Sequence, residues 1–349
     1  HILLKNVDNP GYSARNGSPL YKLIPFYITF NPDTGEAFGI FYDNLATTTF
    51  DLNLRTAGLP EFRRYAAETG DVEYYFIYGP GIDEVVQKFT RLTGRMILPP
   101  RWSLGYMGST MNYTEAEDAQ VQLAKFARQC EQYQIPCTLF HLSSGYTLGA
   151  DGKRYVFNWN RKRVPEPKQM VEDFHAHGIR LAANIKPCLL TRHPRFNEGK
   201  ELGAFIRQPG SDQPQIFPFW GGDAAALDFS NPVAVNWWKQ NVREQLLDYG
   251  IDSTWNDNNE FEVQERNARC FGFGSGFPVK YGRPLQTMLM MRASYQAQVE
   301  SHPDERPFLI SRSGCAGMQR YVQTWSGDNY TSWQTLKYNI PMGLGLSLS

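Results

Sequence analysis

Net charge is missing from this 349-residue sequence: 35 Lys and Arg face 35 Asp and Glu, and only 20% of residues are charged. Binding to nucleic-acid phosphates needs clustered Lys and Arg, and a balanced count argues against it. Long apolar runs are missing too, none approaching the ~18 residues that suggest a membrane span. Cysteine is sparse. Cys130, Cys137, Cys188, Cys270 and Cys315 are odd in number, widely spaced and without a Cys-x-x-Cys. They form neither a disulfide framework nor a zinc signature, and buried free thiols are expected. No G-x-G-x-x-G follows a strand, which weakens a dinucleotide-binding fold. No H-E-x-x-H or carboxylate–histidine grouping suggests a metal, so no cofactor is expected. The start, His1-Ile2-Leu3-Leu4-Lys5, has no initiator Met and no signal-peptide pattern. Both ends are expected to lie inside a longer chain. N-x-S/T matches at Asn16, Asn112 and Asn329 are common by chance and prove no secretory route. The compartment reading leans to a bacterial cytoplasm or periplasm.

Aromatic residues are abundant: 22 Phe, 19 Tyr and 8 Trp. With few charge runs they count against disorder, and they suit an uncharged, hydroxyl-bearing ligand. The length allows two domains, or one α/β barrel with an appendage. It is enough to bury a core without disulfide staples.

Residues 1–95 read as β-rich. Aromatic and β-branched runs at 24–30, 37–42, 47–52 and 72–78 are separated by turn signals. A helix over 84–93 closes at Gly94, before Pro99-Pro100. From Arg101 the pattern becomes alternating strand and helix. Strands are predicted at 102–108, 136–142, 179–185, 251–255, 307–311 and 320–325. Helices are predicted at 115–133, 167–177, 232–249, 284–300 and 331–346. Such alternation implies parallel β, either a barrel or a doubly wound sheet. A closed barrel needs eight strands and about six are countable; the rest are expected beyond Ser349.

Polar clusters sit where apolar strands end, the active-site face of a parallel barrel. The densest is Thr254-Trp255-Asn256-Asp257-Asn258-Asn259-Glu260. An Asn/Asp turn would explain part of it, but Trp255 and Glu260 are not turn residues. The second is Trp325-Ser326-Gly327-Asp328-Asn329, where Asp328 could instead only cap the next helix. Asp257 and Asp328 are 71 residues apart, about two βα units at roughly 30–40 residues each. Two such carboxylates can face one pocket, as glycoside hydrolysis requires. Arg312, after another strand, can hold a carboxylate ionised. His141, Ser143 and Lys186 follow further strands and could bind sugar hydroxyls, although Lys186 could equally pair with an acid. Trp220 could be a stacking wall or a core residue.

These residues resemble glycoside hydrolase family 31, the retaining α-glucosidase and α-xylosidase group. Trp255-Asn256-Asp257-Asn258-Asn259-Glu260 matches the family's Trp-x-Asp-Met-Asn-Glu, except for Asn258 in place of Met. Arg312-Ser313-Gly314 through Gln319-Arg320, and Thr324-Trp325-Ser326-Gly327-Asp328-Asn329, match its acid/base segment. Leu98-Pro99-Pro100-Arg101-Trp102 matches its barrel entry, and Asp228-Phe229-Ser230-Asn231-Pro232 a further motif. The resemblance implies a (β/α)8 TIM barrel over 96–349, with about six βα units present, preceded over 1–95 by the latter part of an N-terminal β-sandwich and a linking helix. It implies Asp257 as nucleophile and Asp328 as acid/base, with Arg312, Trp255, Trp325 and Trp220 lining the sugar pocket.

It also implies a retaining α-glycosidase acting on terminal non-reducing sugars, α-glucosides first, of small oligosaccharides. No nucleic-acid or membrane partner is implied, and oligomerisation stays open. Two departures sit where C4 and C6 hydroxyls are read. Ser143-Ser144 stands where an Asp is usual, and Lys186-Pro187 replaces Asp-Pro. They keep α-galactoside, α-xyloside and transglycosylase readings open, as well as a non-catalytic carbohydrate-binding relative.

Overall fold

The computed structural model describes residues 1–13, 15, 20–54, 58 and 60–347; the Asn16 sequon lies outside them. The alternating region forms a six-stranded, all-parallel sheet. Its strands are β1 (Tyr106–Ser109), β2 (Cys137–Leu142), β3 (Arg180–Ile185), β4 (Ser253–Asn256), β5 (Leu309–Ser311) and β6 (Gln323–Thr324), and they neighbour one another in sequence order. A doubly wound sheet would reverse its order at a switch point, so this is barrel winding. The chain therefore carries a TIM-barrel fold with six of its strands. Four crossovers are helical; the short one between β5 and β6 holds only a single turn, Met318–Arg320.

Local chemistry sets these boundaries. The helix α3 (Pro167–Ala176) starts on a proline, which needs no N–H there, and the chain turns at Gly178 with φ +72°. In α4 (Pro232–Gln245) the Asn231 side chain accepts from Val233 N at 3.0 Å, capping the first turn. The long α5 (Arg283–Ser301) packs on α4, where Trp238 is fully buried and donates to Ser294 Oγ at 2.8 Å. β2 and β3 are buried on both faces, as helices outside and a filled barrel inside require.

The predicted helix over 115–133 is two helices, Met111–Glu115 and α2 (Ala119–Gln132), because the chain leaves helical geometry at Ala116. The predicted strand over 320–325 shrinks to the two residues of β6. Between β3 and α4 lies an excursion the periodicity did not reveal. Cys188–Leu190, Ile216–Phe219 and Gly222–Ala226 make a small antiparallel sheet. Phe219 pairs with Gly222, which puts Trp220 on a two-residue turn; Gly221 supplies the positive φ at its second position.

Before the barrel, the antiparallel sheet Phe26–Phe30, Ala37–Tyr42 and Tyr74–Gly79 packs one face on α1 (Ile82–Thr93). Phe26 stacks on Phe89 with centroids 3.9 Å apart. A Cβ on Gly39 would come within 2.8 Å of Val85 there, so only glycine fits. The other face meets a second sheet, Ile2–Leu4, Thr48–Leu54 and Phe62–Ala67, through Tyr42, Phe50 and Tyr65. This is sandwich packing, as the family resemblance implied.

The Asp228 motif is structural. Its buried carboxylate accepts from Ser230 N (3.1 Å), Ser230 Oγ (2.6 Å), Gln286 Nε2 (2.8 Å) and Phe271 N (2.5 Å). It thereby ties the start of α4 to α5 and to the segment around Phe271 that precedes α5. Asp228→Ala strands these donors and is expected to cost about 3 kcal/mol or more, read as a lower urea midpoint at unchanged slope. An unchanged midpoint would contradict this role.

Candidate active site

Ile185, Asn256, Ser311 and Thr324 form one transverse row across β3 to β6. The next residue on each strand is Lys186, Asp257, Arg312 and Trp325. The ladder still holds there. Asp257 N donates to Ile185 O at 2.9 Å, and Arg312 N to Asn256 O at 3.1 Å. Strand side chains alternate, so Lys186, Asp257 and Arg312 follow the side of Asn184, Trp255 and Ile310. Asn256 faces outward, and its Oδ1 accepts from Ser294 Oγ of α5 at 2.9 Å.

Asp257 is 9% exposed. Its Oδ2 accepts from Lys186 Nζ at 2.5 Å and Asn184 Nδ2 at 3.0 Å; its Oδ1 accepts from Asn258 N at 2.9 Å. Burial alone would push this carboxyl up. The ammonium of Lys186, the guanidinium of Arg312 and the hydrogen bonds from Lys186 and Asn184 overcome it and hold it at about 2. Asn258 sits at φ +45°, a left-handed conformation that Asn tolerates better than most residues.

Arg312 is buried and meets four carboxylates. Nε and Nη2 grip Glu260 with a fork at 2.9 and 2.8 Å. Nη2 also reaches Asp8 at 3.0 Å, while Nη1 reaches Asp257 at 3.5 Å and Asp328 at 3.3 Å. These two legs to one nitrogen keep Asp257 Oδ1 and Asp328 Oδ2 within about 6.8 Å of each other; retaining glycosidases need ~5–5.5 Å between carboxyls. The Asp328 side chain is 55% exposed. Burial is the largest influence raising its pKa; Asp257 and Asp8 add to the rise, against Arg312.

Trp255 packs edge-on against Trp325, with centroids 5.8 Å apart, and against His141 at 5.6 Å. Burial lowers the His141 pKa to about 4, so its ring is neutral near pH 7. Ser143 is buried two residues further along β2's path. Trp220 leans over Lys186 Nζ, 4.8 Å from the ring centroid, with Arg154 at 4.2 Å. A cavity of about 280 Å³ lies among Trp220, Asn258, Glu260 and Asp8. A larger one, about 390 Å³, lies away from the carboxylate pair, between Lys5, Glu68, Arg266 and Arg283. Chemistry favours the smaller one. Among the described residues no group of His, Cys, Asp and Glu could hold a metal, and all five cysteines are free and buried.

Three participants were not singled out from sequence. Glu260 stood in the quoted cluster without a role. Asp8 and Lys22 come from a segment about 250–300 residues away, with no motif to mark them. Lys22 Nζ donates to the carbonyls of Arg312 (3.0 Å) and Trp325 (2.8 Å).

The model of the glycosyl hydrolases family 31 TIM-barrel domain matches residues 96–349, and that of the family's N-terminal galactose mutarotase-like domain matches residues 1–51. The chain belongs to glycoside hydrolase family 31. It is similar to alpha-glucosidase 2 of Bacillus thermoamyloliquefaciens, 32% identical over 95% of this chain and 41% of that protein. It is also similar to human neutral alpha-glucosidase AB, 30% identical over 99% of this chain and 38% of that protein. The chain thus spans about two-fifths of these relatives. Among solved structures, a Flavobacterium johnsoniae family 31 dextranase complexed with glucose superposes with a TM-score of 0.84 at 25% identity, over 99% of this chain and 42% of that one. The Tris-bound glucosidase II alpha subunit gives 0.85 at 25%, over 99% and 38%.

The depressed Asp257 pKa links this family 31 site to stability. Its contribution is present above the ordinary carboxylate value of 3.8 and is lost as pH falls toward about 2. Asp257→Asn is expected to lower stability at neutral pH by about 2 kcal/mol, with the gap narrowing between pH 4 and 2. Urea unfolding at pH 7, 4 and 2.5 measures it, and a gap independent of pH would refute the linkage.

Proposed function

We propose that the protein is a retaining α-glycoside hydrolase that removes terminal non-reducing α-linked sugars, α-glucosides first, through a covalent glycosyl-aspartate. The carrying observation is one guanidinium joining two carboxylates of opposite character. Asp257 is buried and held ionised, whereas Asp328 is half-exposed with a raised pKa. The ionised carboxylate attacks C1 as the C1–O bond breaks, and Asp328 gives its proton to the leaving oxygen. Asp328 then takes a proton from water, whose oxygen attacks C1 and frees Asp257.

The pocket residues follow from the same proposal. Trp255, Trp325 and His141 form an aromatic floor beneath the reacting sugar. Trp220 is a wall on a hairpin tip, and Arg312, Asn258 and Ser143 are polar contacts. Residues 1–95 act as sandwich and linker, and 96–349 as the catalytic barrel. The names of the similar proteins, two alpha-glucosidases and a dextranase, support α-glucosides as substrates.

Tests use the full-length enzyme. Asp257→Ala should lose about 10⁴-fold in kcat. Asp328→Ala should lose far more on a disaccharide than on a p-nitrophenyl glycoside, whose leaving group needs little protonation. NMR of the first product should give the α-anomer. Near-normal turnover by Asp257→Ala, or a β-anomer released first, would reject the proposal.

A further inference from the structure

We propose that Lys186 is a positioning residue for the nucleophile: clamped between Asp257 Oδ2 and Asn258 Oδ1, it holds the carboxylate as an anion and leaves Oδ1 to attack. This rests on Asp257 being the nucleophile.

The geometry leaves Lys186 little to offer a sugar. An ammonium has three donors. One goes to Asp257 Oδ2 and one to Asn258 Oδ1, both at 2.5 Å. The remaining side faces the Trp220 ring, 4.8 Å from its centroid. Lys186 is 8% exposed, so its charge is largely desolvated and acts on Asp257 at close range. The two carboxylate oxygens are then unequal. Oδ2 carries two side-chain donors, Lys186 and Asn184. Oδ1 carries one backbone donor at 2.9 Å and lies 3.5 Å from Arg312. In the attack the Oδ1–C1 bond forms and the C1–O bond breaks, with Asp328's proton going to the leaving oxygen. Lys186 touches neither reacting atom of the substrate.

Two of the three departures from the family pattern, Lys186 and Asn258, thereby become one arrangement. The cation at 186 needs an acceptor besides Asp257, and Asn258 supplies it where Met could not. Other charges around Asp257 are Arg312 and, through it, Glu260, Asp8 and Asp328; Arg154 lies beyond Trp220. With Lys186 removed, Arg312 and the hydrogen bond from Asn184 are left to oppose the effect of burial.

The experiment is the pH dependence of kcat and kcat/KM in the full-length enzyme on its best p-nitrophenyl α-glycoside. Wild type, Lys186→Met, Lys186→Arg and Asn258→Met are compared from pH 3 to 8. Lys186→Met is expected to lower kcat ~10–100-fold and move the acid limb of kcat/KM up by about one pH unit or more, with KM within about threefold. Lys186→Arg should restore the wild-type limb. Asn258→Met, which keeps the cation but removes one anchor, should move the limb less, in the same direction; it serves if Lys186→Met fails to fold. An unmoved limb in both Lys186→Met and Asn258→Met, or a loss confined to KM, overturns the proposal. Asp257→Ala run alongside separates the two ideas. Turnover there removes the nucleophile assignment itself, whereas its loss with an unmoved Lys186→Met limb removes only the role of Lys186.

Discussion

The Arg312 guanidinium is the interaction on which the site depends. It touches Glu260, Asp8, Asp257 and Asp328 from an almost fully buried position. Four carboxylates so close together repel one another, and water is too scarce to screen them. With Lys186 and Lys22 nearby, three cations face four acids. Burial raises the pKa of two of these acids, Glu260 and Asp328, and only Asp328 is half-exposed. The fork to Glu260 has a separate task. Both partners are buried, and such a pair is weak evidence of stability because desolvation offsets the attraction. Its value is geometric: it fixes the guanidinium plane, so that Nη1 faces the Asp257–Asp328 gap.

What fixes Arg312 lies in both parts of the chain. β5 places its Cα one residue past a register row, and the ladder to Asn256 keeps it there. From the N-terminal segment, Lys22 binds the Arg312 and Trp325 carbonyls, and Tyr21 lies 5.0 Å beneath the guanidinium. Lys22 and Leu23 pair with Gly314 and Cys315 as a short parallel ladder. Asn6 donates to Ser313 Oγ at 2.6 Å. Residues outside the barrel sequence thus set the loop after β5. Desolvation lowers the Lys22 pKa to about 8; its proton is weakly held for a residue doing this work.

Most of the barrel was legible because its cause is local. Prolines and an Asn cap start helices, glycines end them, and apolar runs between them become buried parallel strands. Asp257, Arg312 and Asp328 were legible because polar residues at strand ends are anomalous without a site. The excursion carrying Trp220 was not, since three short strands separated by a long loop have no period to detect. Asp8 and Lys22 were invisible for another reason. Nothing about an isolated Asp or Lys marks it as the partner of a residue about 300 positions away. The parallel pairing at Gly314 brings Lys22 there, and the Asn6–Ser313 hydrogen bond and the Tyr12–Asn329 bridge on either side of Asp8 bring that residue. β6 was overestimated because Arg320 ends the Met318–Arg320 turn and Val322 is buried outside any ladder, which leaves only Gln323 and Thr324 paired.

The division between the two aspartates follows from neighbours, not identity. Both begin with the same carboxyl and both feel desolvation as an upward push. Asp257 sits in the row of cations and donors between β3 and β5, so ionisation wins. Asp328 lies past β6, touching the same guanidinium at its edge, with a negative Asp257 close by. The first deprotonation therefore raises the second pKa. Such coupling carries a consequence for turnover. Under the proposed double displacement, an ester at Asp257 would remove its charge and with it one of the upward pushes on Asp328. In that scheme Asp328 would have reason to be a base in the second half-reaction, having been an acid in the first. A single guanidinium between the two groups lets one carboxylate sense the chemistry of the other.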